Sequence, residues 1–440
     1  FESVSPADRS HEYHRTVGLI FDVWADHDAQ IGADPLPHRG QAIASFLAAI
    51  GLDERPANVW INLGTEYFLR ASHPRDPDPD GDLAQARAAL DRARAKNPGH
   101  YVPYFYGGQV HARIATRQRT HGKDPRPELD LAIDQYRQGI AVNPGLPHLH
   151  NALGAVLLDQ ARETWDRGGD PDPLLDQARA AFEAAITAAP DQIYGHENLG
   201  YALVKRAFYD DARGDDPRPA VRVASAVLRQ AVDRIPDHYG PWAALGEALS
   251  IQAAFELSQG RDPQKPLAEA TAAVDDALRR ERGNPQTLRT LGEVRTTRAR
   301  ARAIRGGAAI GDFEQAAEAF QKALALAPDD PDTRLAFGQL YRTWAAWAVA
   351  SGQDAGSPLR RGLELANQVL ADRPDWPEAR LLRAGLLLVQ GEAEGNREEQ
   401  RALGGRALAD LNRALEVNPR LSRRWGSQVA AAQRLAGAPR

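Results

Sequence analysis

The chain has 440 residues, 43% of them hydrophobic, a net charge of −5, and neither cysteine nor methionine. A total so close to balance excludes the broad basic field of a nucleic-acid or anionic-membrane binder, and the missing cysteines exclude disulfides, thiol nucleophiles and thiolate metal ligands. No apolar run approaches the about 18 residues of a membrane-spanning helix. Arginine supplies 49 of the 54 basic residues, as in GC-rich bacterial coding. Phe1 onward lacks the charged start and apolar centre of a secretory signal, so a cytoplasmic bacterial protein is expected. The absence of Met even at position 1 implies a fragment or a processed product.

Residues 1–11 show no periodicity and are expected to be loose. From residue 12 a beat sets in. Glycines fall at 18, 64, 108, 154, 200, 246, 292, 338 and 385, and prolines at 98, 144, 190, 236, 285, 328, 374 and 419. Between them stand Asp124-Pro125-Arg126-Pro127, Asp170-Pro171-Asp172-Pro173, Asp216-Pro217-Arg218-Pro219 and Asp262-Pro263, each 46 residues after the last. Self-similarity at this period predicts stacked units, here 12–53, 54–99, 100–145, 146–191, 192–237, 238–283, 284–329, 330–375 and 376–420.

The first unit predicts a helix over Tyr13–Ile31, with Val17, Gly18, Phe21 and Trp24 on one stripe. Asp34-Pro35-Leu36-Pro37 then starts its partner, because proline is tolerated in a first helical turn. Glycine inside a helix costs roughly 1 kcal/mol relative to alanine, so Gly18, Gly64, Gly108, Gly154, Gly200, Gly246, Gly292, Gly338 and Gly385 mark places where two helices must approach closely. In the second helices, residues 12, 8 and 5 before the closing proline run small, large, small, as in Ala132, Tyr136, Gly139 and Ala316, Phe320, Ala323. Such a face fits the groove of a neighbouring helix.

The second unit holds the most turn-rich loop, Asp76 to Gly81, and units three to six are the most regular. In unit seven Pro285 stands 7 residues before Gly292 instead of 10, and the loop Arg305 to Asp312 lacks the Asp-Pro pair, so a local change in superhelix angle is expected. Unit eight carries Tyr341, Trp344 and Trp347, and unit nine the polar loop Gly391 to Glu399. Leu421–Leu435 predicts a polar-faced capping helix, with 421–440 as cap and tail.

Aromatic, Leu-Gly, aromatic, then Ala, Phe, Ala, Pro is a register that resembles the tetratricopeptide repeats, although those units have about 34 residues. The extra residues lie between the glycine and the second helix and should lengthen both helices. HEAT and armadillo units share the period but not the register. The expected fold is all-α: an α-α superhelix of about nine long hairpins plus a C-terminal capping helix, each hairpin touching only its neighbours. The 46-residue unit with its Asp-Pro-Arg-Pro loops is similar to the repeat arrays that follow the kinase domain in some bacterial serine/threonine protein kinases. No Val-Ala-Ile-Lys, His-Arg-Asp or Asp-Phe-Gly occurs here, so any catalytic domain is expected outside this chain.

The chain also lacks phosphate-binding, dinucleotide, nucleophile-elbow and zinc-protease motifs. His11-Glu12-Tyr13-His14 and His148-Leu149-His150 have no third ligand at zinc spacing, so no catalytic residue, metal or cofactor is expected. The tetratricopeptide resemblance implies a concave binding face of Gln109, Arg113, Asn151, Asp159, Tyr201, Lys205, Glu247, Arg289, Glu293, Gln339 and Arg342. The Asn and Lys with which some relatives clamp a peptide carboxylate are not at these places. Arg295, Arg298, Arg302 and Arg305 lie along one helix side, in a stretch (261–310) with 11 basic and 6 acidic residues. They form either a landing strip for an acidic or phosphorylated partner or a solvated face balanced by Glu281 and Glu293. Tyr341, Trp344 and Trp347 form either a peptide anchor or core. The reading is a non-catalytic scaffold for a protein or peptide partner, with no nucleic acid and no membrane insertion. The alternative is a sensor for an anionic small molecule or phosphorylated peptide.

Overall fold

A computed structural model describes residues 9–307 and 310–437. Most of the expected loose lead, Ala308 and Ala309 of the unit-seven loop, and the last three residues lie outside them. Among the described residues every regular element is helical, nineteen α-helices and a 3₁₀ turn at Pro419–Leu421.

These helices group into two compact bodies, residues up to Gln160 with Thr187–Ala189, and Ala161–Ile186 with Pro190 onward. The beat carries no sign of this division. The first body holds α1 (His11–Gln30), α2 (Leu36–Leu52), α3 (Ala57–Ala71), α4 (Pro79–Lys96), α5 (Val102–Thr120), α6 (Arg126–Val142) and α7 (Pro147–Asp166) up to Gln160. To the second belong the end of α7, α8 (Asp172–Ala188) up to Ile186, α9 (Ile193–Arg213), α10 (Arg218–Arg234), α11 (Tyr239–Ser258), α12 (Gln264–Arg280), α13 (Pro285–Ile304) and α14 (Ile310–Leu326). It continues through α15 (Pro331–Ala350), α16 (Gly356–Asp372), α17 (Pro377–Ala393), α18 (Arg397–Val417) and α19 (Ser422–Ala436). A 20-residue first helix such as α13 is about 30 Å long.

Two local devices set the hairpins. Gly32, Gly122, Gly168, Gly214, Gly260, Gly306 and Gly352 hold φ between +65° and +82°, the left-handed turn that lets a first helix stop sharply. Each lies 14 residues after a repeat glycine, a second beat that the sequence reading overlooked. The Asp of the following loop then accepts a hydrogen bond from the backbone N–H two residues on, as Asp124 does from Arg126 (3.2 Å) and Asp216 from Arg218 (3.0 Å), a turn that occupies the first N–H of the second helix.

The repeat glycines do mark close helix approach. A Cβ on Gly18 would stand 2.6 Å from the Phe46 ring, one on Gly108 2.5 Å from Tyr136, and one on Gly292 2.6 Å from Phe320. For Tyr136 and Phe320 the struck residue is the large one eight before the closing proline. Hairpin eight differs, because that position holds Ala366. Gly338 there faces Leu382 of α17 instead, at 2.5 Å. In unit seven the displaced Pro285 leaves the helical register intact: α12 ends at Arg280, in step with Arg234 and Leu326. Tyr341, Trp344 and Trp347 are core. Tyr341 is 3% exposed, and both tryptophans pack on Phe313 at 5.5 and 5.6 Å between centroids.

The expectation that hairpins touch only their neighbours fails in the second body. The indole N–H of Trp165 donates to Glu378 Oε1 (2.7 Å) across 213 residues, and Arg373 donates to Asp166 (2.6 Å) across 207. Asn418 donates to the Trp165 carbonyl (2.8 Å), and Arg162 to Asp332 (2.8 Å). From α19, Arg424 and Arg423 reach Asp211 (3.1 Å) of α9 and Asp215 (2.7 Å) just after it. Each hairpin adds a small rotation to the last, and here the rotation accumulates until the first and last elements of this body meet. The second body closes on itself.

Candidate functional site

The first body has an open groove of about 510 Å³ between the inner faces of its first helices. Asn58, Asn62 and Thr65 line it from α3, Tyr101 at the start of α5 with Phe105 and Tyr106, His148 from α7, and Asp22 from α1. The rings form one connected wall. Phe105 meets His148 edge-on at 4.9 Å and Tyr106 at 5.2 Å, and Tyr101 lies 5.6 Å from His148. Burial lowers the pKa of His148, so this wall carries no charge at neutral pH.

Below the rings, Arg39 is held among Glu66 (3.1 Å), Asp26 (2.6 Å) and Asp22 (3.5 Å). Burial, reinforced by Asp22 and opposed by Arg39, pushes Glu66 up to about 8. A proton on Glu66 therefore relieves the crowding of three carboxylates around one guanidinium. The side-chain amides of Asn58 and Asn62 have no hydrogen-bond partner among the described residues. Each offers a donor pair and an acceptor. Flat apolar walls beside free amides suit an extended peptide, whose side chains fill the wall and whose backbone meets the amides.

The residues named above from the resemblance lie elsewhere. In the first body Gln109 is half-buried and Arg113 exposed on α5, Asn151 keeps a buried Oδ1 without a partner, and Asp159 pairs with Arg119 (3.2 Å). In the second body the inner face meets itself. Lys205 binds Glu247 (3.1 Å) and stands 4.5 Å over the Tyr201 ring, while Arg289 lies near Glu293 (3.8 Å) and Asp330 (3.9 Å). Burial works against the Lys205 charge, but Glu247 and then Tyr201 outweigh it and the pKa rises. Burial pushes Glu293 up to about 7 against the pull of Arg289. Burial and the neighbouring Asp166 raise Glu378 likewise. Gln339 is half-buried on α15, and its carbonyl accepts from Thr343 (2.8 Å).

The arginine stripe is already engaged. Arg295 donates to the Gln315 carbonyl (2.8 Å), Arg298 to Thr271 (2.7 Å), Arg302 pairs with Asp312 (2.8 Å) and Arg305 with Asp262 (2.6 Å). Of the residues named from sequence, Arg342 alone combines a buried Nε lacking any acceptor with no ion pair among the described residues. The groove was not singled out from sequence, although Ile61 and Phe105 stand three before their glycines and Thr65 one after, positions the resemblance implies.

Residues 308–330 match a family model described as tetratricopeptide repeat. No curated protein matches the chain in sequence. A solved structure of IFIT1 with m7Gppp-AAAA is similar at TM-score 0.50 and 14% identity, over 92% of this chain and 80% of that one. A tetratricopeptide repeat protein from Parabacteroides merdae is similar at TM-score 0.47 and 11% identity, over 74% and 98%. YrrB, a tetratricopeptide repeat protein with an unusual peptide-binding site, is similar at 0.34 and 15%, over 55% and 95%. The tetratricopeptide match thus falls on the second helix of the seventh hairpin, and the described residues form an all-helical α-α superhelix. No helix among the described residues is long and apolar enough to cross a membrane.

Proposed function

We propose that this chain is a non-catalytic scaffold that holds a protein or peptide partner in the groove of the first body. The observation that carries the reading is the aromatic wall of Tyr101, Phe105 and Tyr106 beside the unpartnered amides of Asn58 and Asn62. Rigid rings of this kind are the usual anchors of a recognition surface. The inner face of the second body supports the same reading by contrast, because Lys205, Glu247 and Arg289 face one another there. Charge balance and the groove's acidic floor argue against nucleic acid as the partner.

The finer reading is that the array recruits partners or regulates activity for a bacterial serine/threonine protein kinase in the cytoplasm. Its support is the 46-residue unit with Asp-Pro-Arg-Pro loops. Selection from a random peptide library on the immobilised chain tests the scaffold reading. Enriched peptides are expected to share an aromatic or apolar anchor, and Phe105→Ala should weaken them by about thirtyfold or more, the loss of one anchor. Enrichment of no common motif, or equal binding to Phe105→Ala, would exclude the groove. The kinase reading is tested by the gene that encodes the chain: a kinase domain upstream of the repeats supports it, and an open reading frame without one removes it.

A further inference from the structure

Along the inner face of the second body most cations meet an anion, Lys205 with Glu247, Arg162 with Asp332 and Arg373 with Asp166. At one place the balance breaks. Arg342 of α15 lies 5.9 Å from the ring of Trp425, the neighbour of Arg424 on α19, and feels the charges of Arg424 and of Arg300 on α13. Among the described residues the carboxylate acting on this group is Asp211 of α9, which Arg424 holds at 3.1 Å. Three guanidiniums against one carboxylate leave a surplus of two positive charges. Neither Arg300 nor Arg342 has an ion pair or hydrogen bond among the described residues, and Arg342 Nε is shut off from water with no acceptor.

Packing, not pairing, holds Arg342 there. Its Cδ lies against Gly385 of α17, where a Cβ would stand 2.7 Å away, and its guanidinium lies 5.9 Å from the Trp425 ring centroid. At Gly18, Gly108 and Gly292 the absent side chain admits a large apolar group; at Gly385 it admits an arginine. Burial, then repulsion from Arg300 and Arg424, brings Arg342 down to about 10. Holding one guanidinium out of water beside two others is unfavourable unless an opposite charge joins them.

We infer that Arg300, Arg342 and Arg424 form a binding site inside the second body for a small, multiply charged oxyanion of the phosphate type. Its two negative charges would offset the surplus. Guanidinium forks from three separate helices match the several acceptor oxygens of a phosphate group, which two carboxylates at the ends of a chain do not present in one place. Arg300 is exposed and the Arg424 side chain 35% exposed, so the cluster is open to an entering ion while Arg342 forms its fixed side. The site is independent of the peptide groove, and either reading can fail alone.

Calorimetric titration of the purified chain with sodium pyrophosphate, at ionic strength held constant with sodium chloride, tests the site. Binding is expected, and Arg300→Gln and Arg424→Gln should each weaken it about ten- to a hundredfold, the loss of one charged hydrogen-bonding partner. Arg342→Gln should abolish it without lowering the melting temperature of the unliganded chain, because a repelled charge is removed. Arg413→Gln, at an exposed pair with Asp375, should bind like the wild type. Arg300 is exposed and unpaired, so its variant folds whatever becomes of Arg342→Gln. No heat beyond that of sodium chloride, undiminished binding by Arg300→Gln, or succinate bound as tightly as pyrophosphate would overturn the inference.

Discussion

Trp165→Ala separates a closed body from a linear stack of hairpins. Trp165 is 1% exposed, packs on Tyr209 at 5.0 Å between centroids, and donates its N–H to Glu378 at 2.7 Å. Truncating a buried tryptophan costs about 3–5 kcal/mol through lost burial and the cavity left behind. Trp165→Phe keeps most of the ring and removes only the N–H, for which about 1–3 kcal/mol is expected because a buried Glu378 oxygen loses its donor. The decisive readout is where the loss is felt. In a stack, hydrogen exchange in Trp165→Ala would quicken in α7 to α9 alone. In a closed body it quickens also in α17 and α19, more than 200 residues along the chain, because Glu378 and Asn418 lose the partner that anchors them. Wild-type protection of α17 and α19 in the variant would refute the reasoning.

Further outcomes follow from the same contacts. Gly292→Leu drives a side chain into Phe320, where even a Cβ would stand 2.6 Å from the ring, and should destabilise by about 1–3 kcal/mol; an unchanged thermal midpoint would show that those helices are not in contact. Lys205→Ala removes the nearest cation from the buried Glu247 carboxylate, which keeps Arg289, and should cost about 1–3 kcal/mol in chemical denaturation, whereas replacing both residues with apolar ones of similar volume should restore most of the loss. Glu66 and Glu293 have folded values of about 8 and about 7 against 4.5 when unfolded, so between those limits the folded chain binds more protons. Their contribution is complete below about pH 4.5 and is lost as pH rises through 7 to 8, so the denaturation midpoint should fall across that window; a midpoint rising throughout it would contradict these assignments.

The hairpins were legible because a missing side chain repeated at a fixed interval has few physical causes, and Tyr136 and Phe320 stand where the matching bulk was expected. Closure was not legible. Trp165 with Glu378 and Asn418 with Trp165 join points far apart in the chain, and no periodic signal marks which turn of a superhelix meets another. The groove was half legible. Ile61, Thr65 and Phe105 sit at positions the resemblance implies, but Tyr101 and His148 enter from a helix start and a neighbouring hairpin. Arg295, Arg298 and Arg302 lie on α13 and Arg305 just past its end, while their partners lie on other helices or in loops, apart in sequence. Arg342 was expected on the inner face; that Arg424 stands near it depends on the returning α19.

Because the second body spends much of its inner face on itself, the peptide site falls to the first body and the oxyanion site to the returning helix α19. Closure is therefore the claim to test, and a chain without native cysteine makes the test clean. Asp215→Cys and Arg423→Cys, at an exposed pair 2.7 Å apart and 208 residues distant in sequence, can be joined by a short bis-maleimide in dilute solution. The account predicts rapid linkage within single molecules, seen as one cross-linked tryptic pair at monomer mass. Linkage only between molecules, or none in the folded chain, would contradict it.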